Sequence, residues 1–282
     1  MDIGLARTFL TVAETGTFVD AAKRMNLTQS TVSARIKTLE DQLGQPLFHR
    51  SKYGAELTNA GEQFRRHALT LVRVWQHAQF EVGLADQHRD RLFVGATYGL
   101  WQSFLVEWVA WLRSNLPDIA VSATAETETS VTEKMTEGTL DLAVTYRPLD
   151  RPGLITEHLF NDVFVRVTSA PRGTRRRTVE PVFLNWGPDL KPEDAIAEPE
   201  FLAAGLTLDV GAGGLDYLLH RPCTGYVPQR VARTLALSGK VRIVPRTHRF
   251  SHPVFISYPE TRDEAAYEPI LSSLKNQANA IA

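Results

Sequence analysis

A single cysteine, Cys223, occurs in 282 residues, which excludes an intramolecular disulfide. A lone thiol of this kind is expected to sit buried as a small apolar group rather than to act as a redox sensor. Long apolar runs are missing too. None reaches the length of a membrane span, and the amino-terminal helical pattern carries Asp2 and Glu14 in place of the basic and apolar regions of a signal peptide. These absences predict a cytoplasmic protein with no membrane partner. An excess of charge of one sign is also absent, 31 Lys and Arg standing against 32 Asp and Glu for a net −1. That balance does not exclude nucleic acid, because the electrostatic footprint of DNA binding is local. Catalytic signatures are lacking as well: there is no nucleophile elbow and no phosphate-loop lysine, and Gly211-Ala212-Gly213-Gly214 is only a distant likeness of a dinucleotide fingerprint. The histidines show no metal spacing, so neither metal nor cofactor is expected. A basic run, Arg172 and Arg175-Arg176-Arg177, lies in a loop containing Pro and Gly and reads as solvated.

What is present is ordinary globular content, 43% hydrophobic and 22% charged, at a length that suits two domains. The informative stretch runs from residue 18 to 58. Thr17 is placed to cap a short helix, with Asp20 three residues on at the positive end of its dipole. Ala21-Ala22 permit close approach of a crossing helix, and Val19, Ala22 and Leu27 are expected on the inner face. After a turn at Asn26-Leu27, Thr28 caps a second helix. Along it Val32, Ile36, Leu39 and Leu43 recur at steps of three and four as a core stripe. The free face offers Thr28, Gln29, Ser30, Thr31, Ser33, Arg35 and Lys37. Gln can bond adenine bidentately, Ser can meet base edge or phosphate, and Arg or Lys can read guanine or hold the backbone. The helix ends at Gly44 with Pro46 beyond. Leu47-Phe48-His49-Arg50 to Glu56-Leu57-Thr58 then reads as a hairpin turning around Tyr53-Gly54, with Arg50, Lys52 and His49 on it. A polar helix face alone is usually just solvated. Followed by a basic hairpin, it reads as a helix-turn-helix with a wing, and double-stranded DNA is the first partner to expect.

On Phe9, Ala13, Gly16, Phe18, Ala21-Ala22, Leu27-Thr28-Gln29, Val32-Ser33, Ile36, Leu39-Glu40, Leu43-Gly44, Leu47-Phe48, Arg50, Leu57-Thr58 and Ala60-Gly61, the chain resembles the LysR-type transcriptional regulators of bacteria. Ala34 departs from the pattern, many relatives carrying a basic residue there. In the carboxy-terminal half, Trp101, Asn185-Trp186-Gly187-Pro188-Asp189 and Pro228 are similar to the branch that includes a flagellar regulator. The resemblance implies an N-terminal winged helix-turn-helix, a long linker helix, then a two-lobed periplasmic-binding-protein-like α/β effector domain.

The residues themselves agree with that order. Thr58 can cap a helix running to about Arg89, on which Phe64, Ala68, Leu71, Trp75, Ala78 and Val82 alternate steps of four and three as a coiled-coil seam, with Gln76, His77 and Gln87-His88-Arg89-Asp90 as a polar exit. Such a helix builds the symmetric dimer, or dimer of dimers, that a pseudo-palindromic site requires. From Leu92 short apolar strands alternate with helices in two cycles, 92–146 and 182–244, as parallel α/β units. Phe160 to Thr168 and Pro253 to Tyr258 are the strands expected to cross between lobes. The expected domains are thus 1–58 for DNA, 59–90 for the linker and 91–282 for the effector, with lobe I at about 91–167 and 254–282 and lobe II at about 168–253.

Ligands in open α/β sheets settle beyond the carboxyl ends of strands. The expected lining is Thr97, Tyr98, Gly99, Leu100 and Trp101 after the first strand, Thr127 after the second, and Thr145 and Tyr146 after the third, with Trp186, Gly211 and Gly213 from the other lobe. Their flat rings with polar handles suit an aromatic or carboxylated metabolite. In the family that this chain resembles, hydroxyls after the first strand and the helix start of the second lobe meet the effector, which carries over onto Thr97 and Gly211 to Gly213. Glycines can offer only backbone there. RNA polymerase is a further candidate partner. Two alternatives stand beside this reading: a regulator with no small-molecule effector, and a cleft enzyme fused to a DNA-binding module.

Overall fold

The computed structural model describes residues 2–51, 54–81, 90–175, 179–187, 201, 205–209 and 213–281. Three helices open the chain, α1 (Ile3–Thr15), α2 (Phe18–Arg24) and α3 (Gln29–Leu43). Each begins on a side-chain cap. Asp2, Thr17 and Thr28 accept from the backbone N–H of Gly4, Asp20 and Thr31. The turn before α3 puts Asn26 at φ 52°, a left-handed position that Asn tolerates better than most residues. Val32, Ile36 and Leu39 are fully buried against α1, each worth roughly 1.5–3 kcal/mol of apolar burial.

Two expected core positions are not in the core. Val19 is 45% exposed, because the inner face of the seven-residue α2 is Ala21 and Ala22, whose small side chains bring the helices together. Leu43 is 42% exposed, because the last turn of α3 runs past the core before Gly44 ends it at φ 68°.

The wing is the antiparallel pair β1 (Phe48–Ser51) and β2 (Gly54–Leu57). Its base is tied to the helices. Phe48 packs on Phe9 and Phe18 at centroid distances of 5.3 and 5.9 Å, and Ala55 N–H donates to the Gly16 carbonyl at 2.7 Å. Gly54 is required there, since a Cβ would lie 2.6 Å from the Gly16 oxygen and φ is +146°.

Thr58 caps α4 (Asn59–Glu81) by accepting from Gly61 N–H at 3.0 Å, as the sequence predicts. The seam on α4 divides. Phe64 and Ala68 are buried in the head, where Phe64 meets Phe9 at 5.0 Å, so the first turns are intramolecular core. Farther along, Val74 and Trp75 are 62% and 44% exposed. The seam position Val82 and the linker 82–89 lie outside the described residues, as do the side chains of Gln76 and His77.

Most of the described strands beyond α4 form one continuous sheet with helices on its faces. Its order is β4-β3-β5-β12-β6-β10-β7, from β3 (Asp90–Thr97), β4 (Ile119–Glu126), β5 (Leu142–Thr145), β6 (Leu154–Thr168), β7 (Glu180–Pro181), β10 (Cys223–Pro228) and β12 (Phe250–Pro259), with β11 (Arg242–Ile243) also on β6. β3 runs parallel to β4 and β5, the α/β unit of lobe I. β6 and β12 pair antiparallel along their length. β5 joins one end and β10 the other, so β6 and β12 link the β3–β5 unit to β10. β8 (Phe183–Asn185) and β9 (Thr207–Asp209) pair with each other as a separate parallel ribbon rather than entering the main sheet. Helices α5 (Val106–Asn115), α6 (Glu128–Thr136), α7 (Gly214–His220), α8 (Gln229–Leu237) and α9 (Glu264–Ile281) cover the sheet. The helix expected directly after β3 is broken: Gln102 is extended (ψ 129°) and Ser103 left-handed (φ 55°), and only from Val106 is it regular.

Candidate nucleic-acid interface and effector cleft

On α3, Thr28, Gln29, Ser30 and Lys37 are exposed, and Thr31 and Ser33 are half-buried. Thr28 Oγ1 is shared with Ser30 Oγ and Thr31 Oγ1, both at 2.8 Å, so its first task is holding the helix start. Gln29 and Lys37 stand on the open face. Arg35 does not: its guanidinium reaches back to Thr8 Oγ1 of α1 at 3.4 Å, which sets it on the flank of the helix. Arg50 on the wing lies over the Phe18 ring at 4.4 Å and 3.7 Å from Glu40 Oε2, which steadies an exposed cation beside α3. Lys37, His49 and Arg50 line a groove between the end of α3 and the wing. Lys52 lies outside the described residues, as do Arg176 and Arg177 of the basic loop.

The lobe seam brings together Gly99, Tyr146 and Trp186 of the predicted effector residues, but as a closed contact. Gly99 is so near lobe II that a Cβ would sit 2.9 Å from the Trp186 carbonyl oxygen, and a Cβ on Gly187 would sit 3.2 Å from the Tyr146 ring. Trp186 is buried and donates its indole N–H to the Tyr226 carbonyl at 3.0 Å. Trp101 donates to the Ala96 carbonyl at 3.3 Å. Leu100 is fully buried core, and Thr145 is buried with its hydroxyl donated to the Arg147 carbonyl at 2.6 Å, so neither offers a free polar group to the cleft. Tyr98 is 44% exposed. Thr127 is exposed and caps α6 by accepting from Ser130 N–H. Gly213 precedes α7 at φ 84° without a side-chain cap, and Gly211 lies outside the described residues. Thr97 stands apart: it is 4% exposed and its hydroxyl has no hydrogen-bond partner.

Tyr146, expected from its strand end, forms a network at this seam with two residues that a reading by strand ends does not find, Asp162 and Arg230. Arg230, in the first turn of α8, donates to Asp162 (Nη2 to Oδ2 2.9 Å), to the Gly99 carbonyl at 2.7 Å and to the Gln102 carbonyl. Tyr146 donates its hydroxyl to Asp162 Oδ2 at 2.8 Å. Burial pulls Arg230 down, but Asp162 outweighs it and the guanidinium titrates above its ordinary value; burial and then the Asp162 charge push the Tyr146 phenol well above its own. Two signals in the sequence mark the pair. Asp162 stands between Phe160 and Phe164 on one face of β6, and Arg230 is a cation at the positive end of a helix dipole.

A second cluster joins the head to lobe I. Arg24, at the end of α2, is 3.0 Å from Glu14, 3.5 Å from Glu133 and 3.2 Å from Glu137, the last two at the end of α6. Burial raises Glu14 and Glu137 above the usual carboxylate value, partly offset by Arg24. Cys223 is fully buried and burial pushes its thiol up, the condition of an inert apolar thiol. Among the described residues no group of three or more His, Cys, Asp or Glu is placed to hold a metal ion, and no helix is long and apolar enough to cross a membrane.

A winged helix-turn-helix joined by a long helix to a two-lobed α/β domain defines a DNA-binding transcriptional regulator with an effector-binding domain. The chain belongs to the LysR family of bacterial regulators. Residues 3–62 match the bacterial regulatory helix-turn-helix protein, lysR family, and residues 85–279 match the LysR substrate binding domain. The chain is 34% identical to the HTH-type transcriptional regulator HdfR of Yersinia enterocolitica, over 69% of its own length and 70% of that protein's, which is the branch its carboxy-terminal residues resemble. Its fold is similar to a full-length OxyR variant from Pseudomonas aeruginosa (19% identity, TM-score 0.58, covering 100% and 96% of the two chains). It is also similar to LysG from Corynebacterium glutamicum with its effector Arg bound (18% identity, TM-score 0.58, 99% of each chain).

Proposed function

We propose that this regulator works in the cytoplasm as a dimer or dimer of dimers on a pseudo-palindromic operator, and that a small molecule at the lobe seam changes the spacing of its two heads. Domains at 1–58, 59–90 and 91–282 serve DNA, linkage and sensing. Gln29 and Ser30 read base edges; Lys37, Arg50, Lys52 and Arg35 hold backbone; Thr28, Thr31 and Ser33 fix the start of α3 against phosphate. The uncovered Val74 and Trp75 on α4 support the dimer, since a large apolar pair on one helix asks for a second helix.

The single observation that carries the sensing half is the Thr97 hydroxyl, buried and unpartnered beside the seam. A native protein seldom strands such a group without a ligand or water to meet it. Helix α6 offers a route to DNA: it starts at Thr127, directly after the carboxyl end of β4, and its end holds Arg24 of the head. A ligand that binds one lobe arrangement better than another thereby shifts head position. Regulation without chemistry accounts for the site, and an enzymatic role is not proposed.

The test is selection of operator DNA from random fragments with the purified chain, followed by Gln29→Ala and Lys37→Ala. Gln29→Ala is expected to cost about 1–3 kcal/mol on the selected site and to relax one base position; Lys37→Ala weakens all sequences and lowers the salt slope by about one. Unchanged affinity in both variants would remove α3 as the reading helix.

A further inference from the structure

Asp162 lies near the middle of β6, where the chain passes between lobes, and Arg230 lies in lobe II. Both side chains are 3% exposed. The guanidinium pairs with Asp162 in the lobe-crossing sheet, where His252 stands opposite on β12, and it reaches Gly99 and Gln102 in lobe I, so its charge is met by Asp162 and its donors go to the protein. Two more exposed cations of lobe I are paired as well. Arg147 Nε is 3.8 Å from Glu128, and Lys134 meets Glu126. Among the described residues, Thr97 Oγ1 and Gln102 Oε1 are buried beside the seam without a hydrogen-bond partner, and neither is charged.

We infer, resting on the reading of this cleft as the effector site, that the seam accepts an uncharged hydrogen-bonding ligand and turns carboxylates away, with Asp162 as the residue that sets this specificity. A carboxylate entering beside Asp162 would be a second buried anion next to a cation already matched, and an ion taken out of water unpaired is strongly disfavoured. A neutral amide or hydroxyl loses far less hydration and finds a hydroxyl and an amide oxygen waiting. The aromatic part of the expected effector keeps its walls in Trp101 and Trp186, while its carboxylate does not keep a partner.

The experiment is scanning calorimetry of the full chain at constant ionic strength, with acetate and benzoate set against acetamide and benzamide. The wild-type midpoint is expected to ignore both carboxylates. Asp162→Asn, nearly isosteric but uncharged, leaves Arg230 as an unpaired cation; its midpoint is expected to fall by roughly 5–10 °C and to climb back with either carboxylate but with neither amide. Wild-type stabilisation by benzoate, or a variant indifferent to carboxylate, overturns the inference. Arg230→Ala serves if the first variant does not fold: it strands Asp162, and methylguanidinium is expected to restore its midpoint without moving the wild type. Failure of that rescue also overturns the inference. Operator affinity on the same samples separates the two ideas. Carboxylate-dependent midpoints with unchanged operator affinity uphold the charge balance and take the cleft out of regulation.

Discussion

Replacing Thr97 by Val should make the free protein more stable and its ligand complex weaker. The Thr97 residue is 4% exposed and its Oγ1 has no partner. A hydroxyl in that position has lost its water and gained nothing, at a cost of about 1–3 kcal/mol. Valine keeps the branched shape, and the backbone at φ −65°, ψ 145° suits a β-branched residue. No capping bond is lost, because the Thr97 side chain makes none to the short helix that follows. Thr97→Val is therefore expected to stabilise the chain by about 1–2 kcal/mol, a rise of roughly 2–8 °C in the midpoint of a domain this size. The same change removes a bond the effector would make, about 0.5–1.5 kcal/mol, or a factor of roughly 2–10 in Kd. Calorimetry of the free chain and titration with a ligand found by thermal shift read the two numbers separately. A variant less stable than wild type would show that the hydroxyl is already satisfied in the free protein, and the reasoning would fall.

Two further outcomes follow from other parts of the molecule. Glu14 and Glu137 have carboxyls raised above 4.5 chiefly by burial, so the native state holds more protons than the unfolded chain there. Their contribution is favourable at low pH and is lost as pH rises from about the unfolded value through the raised ones. Glu126 and Glu157, lowered by Lys134 and Lys275, act in the opposite sense and lose stability as pH falls below 4.5. Glu137→Gln should flatten the decline above 4.5 in urea midpoints measured across pH, and an unchanged profile would show that Arg24 leaves that carboxyl ionised throughout. Trp75→Glu places a charge on the uncovered part of α4 and is expected to reduce the sedimenting species by half or more while leaving the fold's circular dichroism intact; an unchanged oligomer would move the dimer contact off this helix.

The sequence read best where local chemistry decides structure. Thr17, Thr28 and Thr58 cap the helices expected of them, and Gln229 to Leu237 is helical over the residues that periodicity marks. It read less well where a periodic stripe has to choose between partners. Phe64 and Ala68 share spacing with Leu71 and Trp75, yet the first pair is covered by α1 of the same chain and Trp75 is not, a division that spacing alone cannot express. Val19 and Leu43 fail for the same reason: a face is predicted, but its edges are set by what packs there.

The Asp162–Arg230 pair is legible by another rule, in isolated charges rather than in strand ends. Asp162 sits within Phe160-Asn161-Asp162-Val163-Phe164, where its neighbours along the strand on its own face, Phe160 and Phe164, are apolar, although His252 stands opposite it on β12. An ionised side chain in such a strand has to be paired or give up its charge. That demand is itself a prediction of a buried cation. Arg230 is the natural answer, since a helix start repels a cation unless some acid offsets the dipole. The ion pair at 2.9 Å meets both needs at once, and it does so across the seam, so the residues that close the lobes are the ones whose sequence contexts were each unfavourable alone.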